Sequence, residues 1–253
     1  MIATINKIYR FIFCRGGYGV HSPFVFDLIT NVIEDKYAYY SYEKFNVVRK
    51  QLKEDIRKIK CKNRRYTVKE VFRKFCFSKH EGRLLFRLAN HFQSRTIYVV
   101  GCDLGLMPLY LNSWSKSTHC VVFETEQEPA TIARNVVEKY SSALVEILYT
   151  FNPEDFNNSS FDLIVWGKQF SNSPEEKENN YSTFSIEAFN RLLPFIKKNS
   201  IMVISEINAS RKNKDTWRKV CAANEVTVTL DLYSLGIVFF DPKLHRKTYN
   251  SFV

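Results

Sequence analysis

The 253-residue sequence predicts an α/β protein in which a seven-strand, mostly parallel sheet has helices on both faces and an antiparallel C-terminal hairpin. One observation is that apolar, strand-like runs alternate with helix-like segments from Thr96 onward, which is typical of a parallel sheet covered on both faces. Another is that only Tyr233 and Ser234 separate the last two runs, so those two strands must be antiparallel. The composition, 45% hydrophobic and 15% aromatic, is that of a globular protein.

Residues 1–92 are predicted to form a helical extension in front of the sheet domain at 93–253. Residues 61–80 lack a clear period, so the sequence indicates a connector there without defining its structure. Ser22 and Pro23 have the residue types of an N-cap and a first helical position. The predicted helices are a short amphipathic one through Ile5, Ile8, Tyr9 and Ile12, one that begins after Ser22, a basic one at about 43–60, and one at 82–92.

The sheet domain is predicted from alternating strand and helix patterns. Its seven strands end in a hairpin, which distinguishes it from a dinucleotide dehydrogenase fold, where another parallel crossover would follow. The strands are placed at 96–101, 119–124, 145–150, 161–166, 200–206, 226–232 and 235–241, with helices at about 105–114, 126–140, 183–197 and 211–223.

The positive charge is concentrated in one segment. The whole chain has a net charge of +11, and the stretch from Lys44 to Arg87 has 16 Lys and Arg against 4 Asp and Glu. Such a segment can contact nucleic acid, anionic lipid or an acidic polymer, since each neutralised phosphate adds affinity. The alternative is a solvated helix face, which we favour because an apolar stripe runs along the same helix: Phe45, Val48, Leu52, Ile56 and Ile59.

The six cysteines indicate a reducing compartment. They are scattered without a C-x-x-C pair, and several lie in apolar runs where a free thiol behaves as a small hydrophobe. We therefore expect a cytoplasmic protein without a structural metal. The apolar N-terminus is interrupted by Lys7 and Arg10 and is too short to span a bilayer, so we expect no transmembrane segment.

A glycine loop between two apolar runs is the strongest functional signal. The run Thr96–Val100 leads into Gly101-Cys-Asp-Leu-Gly105, and a second run ends at Glu124. Glycines let the backbone approach a ligand closely, and a carboxylate about twenty residues further on can accept hydrogen bonds from ribose hydroxyls. The pattern predicts an open, Rossmann-like nucleotide cleft between Gly101 and Glu124. The two glycines fall short of a full G-x-G-x-x-G, so a plain tight turn is the alternative.

Four segments give the chain a likeness to a known family. They are the Gly19-Val-His-Ser-Pro-Phe-Val-Phe-Asp-Leu-Ile29 stretch, the Leu84-Leu-Phe-Arg-Leu88 helix, the Gly101 loop and the tail Val226–Phe240. With the seven-strand order, the chain resembles class I S-adenosylmethionine-dependent methyltransferases. It most resembles a group of bacterial methyltransferase-like proteins related to the O-methyltransferases. The likeness covers nearly the whole chain.

This resemblance implies a set of cofactor-binding residues. Gly101, Cys102, Asp103 and Gly105 would line the methionine and ribose end of S-adenosylmethionine, and Glu124 would take the ribose hydroxyls. Glu124 has a competing explanation as an acid that stabilises the N-terminus of the next helix. A further cofactor candidate is Trp166 at the end of a strand, which would stack on an adenine or an acceptor ring or else belong to the core.

Departures from the family pattern bear on activity. Relatives carry an acid where this chain has Val99, and another where it has Gly167. Glu206, at the end of the fifth strand, is a candidate base, but with Asn208 it provides too few ligands for a metal site. The resemblance therefore implies methyl transfer to a small-molecule acceptor without a metal. The alternative is a catalytically inactive protein that keeps the fold for binding or scaffolding.

Overall fold

The computed structural model describes residues 16–58, 68–149, 160–168 and 184–251. The described residues divide into two compact units. The terminal unit contains 16–36, 160–166 and 184–251, and the central unit contains 37–58, 68–149 and 167–168. The helix predicted near the N-terminus lies outside the described residues, and the predicted domain boundary between residues 92 and 93 stays a prediction.

The predicted fold class is confirmed. The described strands make a mostly parallel, eight-stranded sheet whose C-terminal strands are antiparallel, with helices around it. The strands are β1 Thr96–Val100, β2 His119–Phe123, β3 Leu144–Leu148, β4 Phe161–Trp166, β5 Ile196–Ser205, β6 Val228–Asp231, β7 Leu235–Phe239 and β8 Lys247–Asn250.

The central unit has three parallel strands in the order β3-β2-β1. In β1 and β2 every residue after the first is buried, as expected of apolar strands covered on both faces. The register pairs Val100 with Phe123, so both strands end level with each other. Gly101 and Glu124, the next residues along the chain, therefore emerge at the same edge of the sheet.

The terminal unit has five strands in the order β4-β5-β7-β6-β8. The predicted hairpin is confirmed, since β7 pairs antiparallel with both β6 and β5. Tyr233 turns the chain with a φ of 74°. Gly236 is required in β7 because a Cβ there would lie 2.5 Å from the indole ring of Trp217. The eighth strand, which pairs parallel with β6, was not predicted.

Eight α-helices of four or more residues are described, and their bounds correct one prediction. The segment 61–80, whose structure the sequence left open, contains a helix. The helix expected over 183–197 is shorter, because Pro194 cannot continue the α-helical hydrogen bonds and β5 begins at Ile196. The helices are α1 Pro23–Leu28, α2 Ser41–Lys58, α3 Val68–Phe75, α4 Lys79–His91, α5 Leu106–Asn112, α6 Gln127–Tyr140, α7 Ile186–Leu192 and α8 Arg211–Ala222.

Side-chain caps define where several helices begin. Ser22 accepts the Val25 N–H at the start of α1, as the sequence predicts, and Pro23 occupies the first turn. Ser78 and Glu81 form a reciprocal capping box at the start of α4. This box fixes the point where the chain leaves α3 and enters α4, which matters for the site described below.

An aromatic cluster packs the helices of the central unit together. Tyr42, Phe45, Phe86 and Tyr110 contact one another edge-on or tilted, with ring centroids 4.6 to 6.2 Å apart. The apolar stripe predicted along α2 is buried in this cluster through Phe45, Val48, Leu52 and Ile56, while Ile59 lies outside the described residues.

Candidate cofactor site

The loop after β1 depends on its two glycines. Gly101 has a φ of +87°, and a Cβ there would lie only 2.6 Å from the Lys168 carbonyl oxygen. Gly105, at φ +91°, would place a Cβ 2.8 Å from Val136 and forms the N-cap of α5. Between them Asp103 and Leu104 also have left-handed backbones. The loop therefore packs too closely for side chains at 101 and 105.

Glu124 holds this loop from the end of β2. Its Oε2 accepts the Cys102 N–H at 3.1 Å, and its Oε1 accepts the Glu126 N–H at 3.2 Å. The side chain is 3% exposed, and burial raises the pKa of the carboxyl while these hydrogen bonds oppose the rise. Two carboxylate oxygens offer about four acceptor positions. The Cys102 thiol and the Thr125 N–H also hydrogen-bond to this carboxyl, so a ligand hydroxyl would share or replace one of these partners.

Asp103 is a second buried carboxyl of the loop, 4% exposed. Its Oδ2 accepts the Phe77 N–H at 3.3 Å, whereas Oδ1 has no hydrogen-bond partner in the part of the chain that the structure describes. Burial raises the pKa of Asp103 to about 7, and the nearby Cys76 thiol and Arg49 guanidinium limit the rise. An orphaned, buried acceptor of this kind is typical of a ligand site.

The chain between α3 and α4 lies against this loop. Arg49 of α2, which is buried, donates to the Phe77 carbonyl oxygen at 2.9 Å and to the Tyr110 hydroxyl at 3.0 Å. Lys168 donates to the Cys76 carbonyl oxygen at 3.2 Å, and its ammonium lies 5.7 Å from the centroid of the Phe77 ring. Sequence patterns missed Tyr110, in the helix that follows the loop, and also Arg49, Lys168 and this segment, which are distant from the loop along the chain.

The cleft between Gly101 and Glu124, expected to be open, is largely filled in this structure. The space left between the described residues that line it is too small to hold a water molecule. Ligand pockets usually measure about 300 to 1,000 Å³, so an adenosyl cofactor does not fit without movement. The lining residues are Phe75, Cys102, Asp103, Leu104, Glu124, Pro129 and Lys168.

Trp166 and Glu206 belong to the terminal unit. Trp166 is 5% exposed and packs edge-on against Phe184, with ring centroids 5.2 Å apart. Glu206 follows β5 with a left-handed φ of 58° and an exposed side chain. Its backbone N–H donates to Ser234, and its carbonyl oxygen accepts from the Asn213 side chain. The predicted roles of Trp166 and Glu206 stay predictions.

Two further features of the described residues concern metal ions and membranes. No group of three or more His, Cys, Asp and Glu among them is arranged to hold a metal ion. None of the described helices combines the length and apolarity that crossing a membrane requires.

Part of the basic segment, residues 44–87, is buried in the protein. Arg49 and Arg87 are both 8% exposed, and Arg87 donates to the Tyr42 hydroxyl. Arg83 lies over the Tyr42 ring, and Lys53 lies over the Phe72 ring. Several cations of this segment therefore contact the aromatic cluster. Nucleic-acid binding through residues 44–87 stays a prediction.

The fold is that of class I S-adenosylmethionine-dependent methyltransferases. A methyltransferase from Podospora anserina bound to S-adenosylhomocysteine (SAH) superposes with a TM-score of 0.56 and 11% identity, over 87% of this chain and 96% of that one. An O-methyltransferase from Bacillus cereus in complex with SAH gives a TM-score of 0.54 and 16% identity, over 85% and 96%.

A methyltransferase from Geobacter sulfurreducens gives a TM-score of 0.55 and 14% identity, over 77% of this chain and 88% of that one. No family model and no curated protein sequence matches the chain. At these identities the structural likeness establishes the shared fold, and the activity has to be argued from the residues of the site.

Proposed function

We propose that this protein is a cytoplasmic S-adenosylmethionine-dependent methyltransferase that acts on a small-molecule acceptor. The observation that carries the proposal is the buried carboxylate of Glu124 at the end of β2, in contact with a loop whose Gly101 and Gly105 both have positive φ. The methyltransferase fold of the structural neighbours, two of them bound to SAH, supports it.

The loop and the two carboxyls fit an adenosyl cofactor chemically. Glu124 would accept the ribose hydroxyls, and the positive φ of Gly101 and Gly105 lets the loop bring its backbone beside this carboxylate. Asp103, through its unpartnered Oδ1, would accept from a donor on the methionine end. The sulfonium supplies an already activated methyl group, so the protein mainly has to align it with the acceptor.

Glu206 is the candidate base for an acceptor that must lose a proton. Its exposed side chain follows the end of β5, and a carboxylate that reaches solvent can pass the proton on. The acceptor itself is proposed only as a small molecule. Cytoplasmic location rests on the cysteine pattern.

The test is calorimetric titration with SAH, comparing wild type with Glu124→Gln. The amide keeps the size of the side chain and one acceptor for the loop, but it loses the charge that strengthens hydrogen bonds to hydroxyls. Such bonds contribute about 1.5 to 3 kcal/mol, so we expect SAH to bind roughly 10- to 100-fold more weakly. Glu128→Gln, on the exposed first turn of α6, is the control and should bind like wild type. Equal affinities for both variants would contradict the assignment of Glu124.

A second candidate function is a methyltransferase-fold protein that no longer binds the cofactor. The observation in its favour is the narrow space between Phe75, Glu124 and Lys168, which is too small to hold a water molecule. The same titration separates the two candidates. A folded wild-type protein without heat exchange or thermal shift at millimolar SAH would favour the binding or scaffolding role.

A further inference from the structure

The residues Phe75, Cys76 and Phe77, here called the Phe75–Phe77 segment, lie beside the two carboxyls that we assign to an adenosyl cofactor. Phe75 ends α3 and lines the small cavity beside Asp103 and Glu124. The three residues are 8%, 1% and 0% exposed, so they are as buried as core residues although they connect two helices. Connecting segments usually run over the surface, and a buried one indicates a specific position.

Three hydrogen bonds from or to the backbone hold this segment in place. Asp103 accepts the Phe77 N–H, Arg49 donates to the Phe77 carbonyl oxygen, and Lys168 donates to the Cys76 carbonyl oxygen. Each bond involves an ionisable side chain from a different part of the central unit. One of these partners, Asp103, belongs to the glycine loop itself. The contact that positions the segment therefore uses a group that we assign to the cofactor.

The helices on either side of the Phe75–Phe77 segment favour its movement as a unit. The capping box of Ser78 and Glu81 fixes the start of α4 directly after Phe77. On the other side, α3 is a helix of 8 residues. Breaking the three side-chain bonds would therefore release a short stretch between two defined helices, as in other lids that cover active sites.

We infer that the Phe75–Phe77 segment is an autoinhibitory cover of the cofactor site, held by Asp103, Arg49 and Lys168, which must swing out before an adenosyl cofactor binds. This inference rests on the proposed function. A cofactor bound at Glu124 and Asp103 would need the space that Phe75 now lines, so the closed segment and the cofactor each weaken the binding of the other. The apparent affinity for the cofactor is reduced by the fraction of molecules that are closed.

The experiment measures SAH binding to wild type, Phe75→Ala and Phe72→Ala. Phe72 is the matched control, because it lies on α3, is 7% exposed against 8% for Phe75, and does not line the cavity. If about one molecule in ten is open, removing the Phe75 ring should strengthen binding about tenfold, and Phe72→Ala should stay within about threefold of wild type. In wild type the observed association rate should level off at high SAH concentration, because opening comes first.

Hydrogen exchange on the wild-type chain gives a readout that needs no variant. The Phe77 amide should exchange slowly without ligand and at least about tenfold faster with saturating SAH, because the open segment no longer donates this N–H to Asp103. SAH binding with an unchanged or slower Phe77 amide would overturn the inference and leave the proposed function standing, as would equal gains from both variants. A failure of all three proteins to bind SAH would overturn the proposed function and the cover together.

Discussion

Two strand ends in this molecule look alike in sequence and differ in structure. In the central unit, β2 ends in Glu124, and in the terminal unit, β5 ends in Glu206. Glu124 is 3% exposed, and its side chain accepts two backbone N–H groups. Glu206 has an exposed side chain, and its backbone makes the local contacts in a left-handed turn. An apolar strand followed by a carboxylate is therefore an incomplete signal for a site.

The glycine loop makes the difference between the two ends. Glu124 has a neighbouring parallel strand whose loop places the Cys102 N–H within reach of the carboxylate. The neighbour of β5 on one side, β7, runs antiparallel, so the chain near Glu206 meets the turn at Ser234. A buried acid with backbone donors is held in one position and can bind a ligand there. An exposed acid at a turn is not held in place by such donors. The following experiments measure this contrast.

The largest effect should come from Asp103, the second buried carboxyl of the loop. Its pKa is about 7 in the fold against an ordinary value of 3.8, so the folded state holds a proton that the unfolded state has lost. Stability should therefore fall as the pH rises through this window, by about 3 kcal/mol between about pH 5 and about pH 8. Urea unfolding at both values should show that Asp103→Asn removes this part of the pH dependence. If wild type and Asp103→Asn lost the same free energy of unfolding between these pH values, a protonated Asp103 would be ruled out.

A smaller effect should separate the two strand-end acids directly. Glu124→Ala leaves the Cys102 and Glu126 N–H groups without their acceptor and should lower the free energy of unfolding by about 2 kcal/mol. Glu206→Ala, the matched change at the exposed end, should change it by less than about 0.5 kcal/mol. Urea denaturation measures both. Similar losses would mean that the two ends do not differ in the way described.

The smallest effect should be a gain in stability at Glu206. With a φ of 58° this residue is in a conformation that disfavours side chains, so Glu206→Gly should stabilise the protein by about 0.5 kcal/mol after the entropy of glycine is counted. Glu225, which is also exposed and lies outside the left-handed region, is the control. Thermal melts measure the stability of both variants, and Glu225→Gly should be neutral or destabilising. A loss from Glu206→Gly would mean that the contacts of the glutamate outweigh its backbone strain.

Most of the fold could be predicted from sequence because strands that are buried on both faces have continuous apolar runs. β8 was missed because Lys-Thr-Tyr-Asn at 247–250 is polar and mostly exposed, so no run marks it. α3 was also missed, although Val68, Val71, Phe72 and Phe75 have helical spacing. That pattern was hidden by the wider basic segment, in which no single period holds over twenty residues.

The site was predictable only in its local part. Gly101, Gly105 and Glu124 follow their strands directly, and their strand-end positions follow from parallel pairing. The Phe75–Phe77 segment, Arg49 and Lys168 come together from sequence separations of 26 to 92 residues, which local patterns do not report. One signal was present, since Arg49 lies one turn from Phe45 along the apolar stripe of α2, and a cation there implies a buried partner.

The buried thiols of Cys76 and Cys102 make opening of the Phe75–Phe77 segment measurable by alkylation. Burial raises the pKa of both groups well above 9.0, so neither provides thiolate to an alkylating reagent while the segment is in place. Each alkylation of Cys76 then reports that the Phe75–Phe77 segment has opened in one molecule. The rate of Cys76 alkylation under mild labelling, followed on its own peptide because Cys221 is only half-buried, would therefore report such openings without any ligand, fluorophore or substitution.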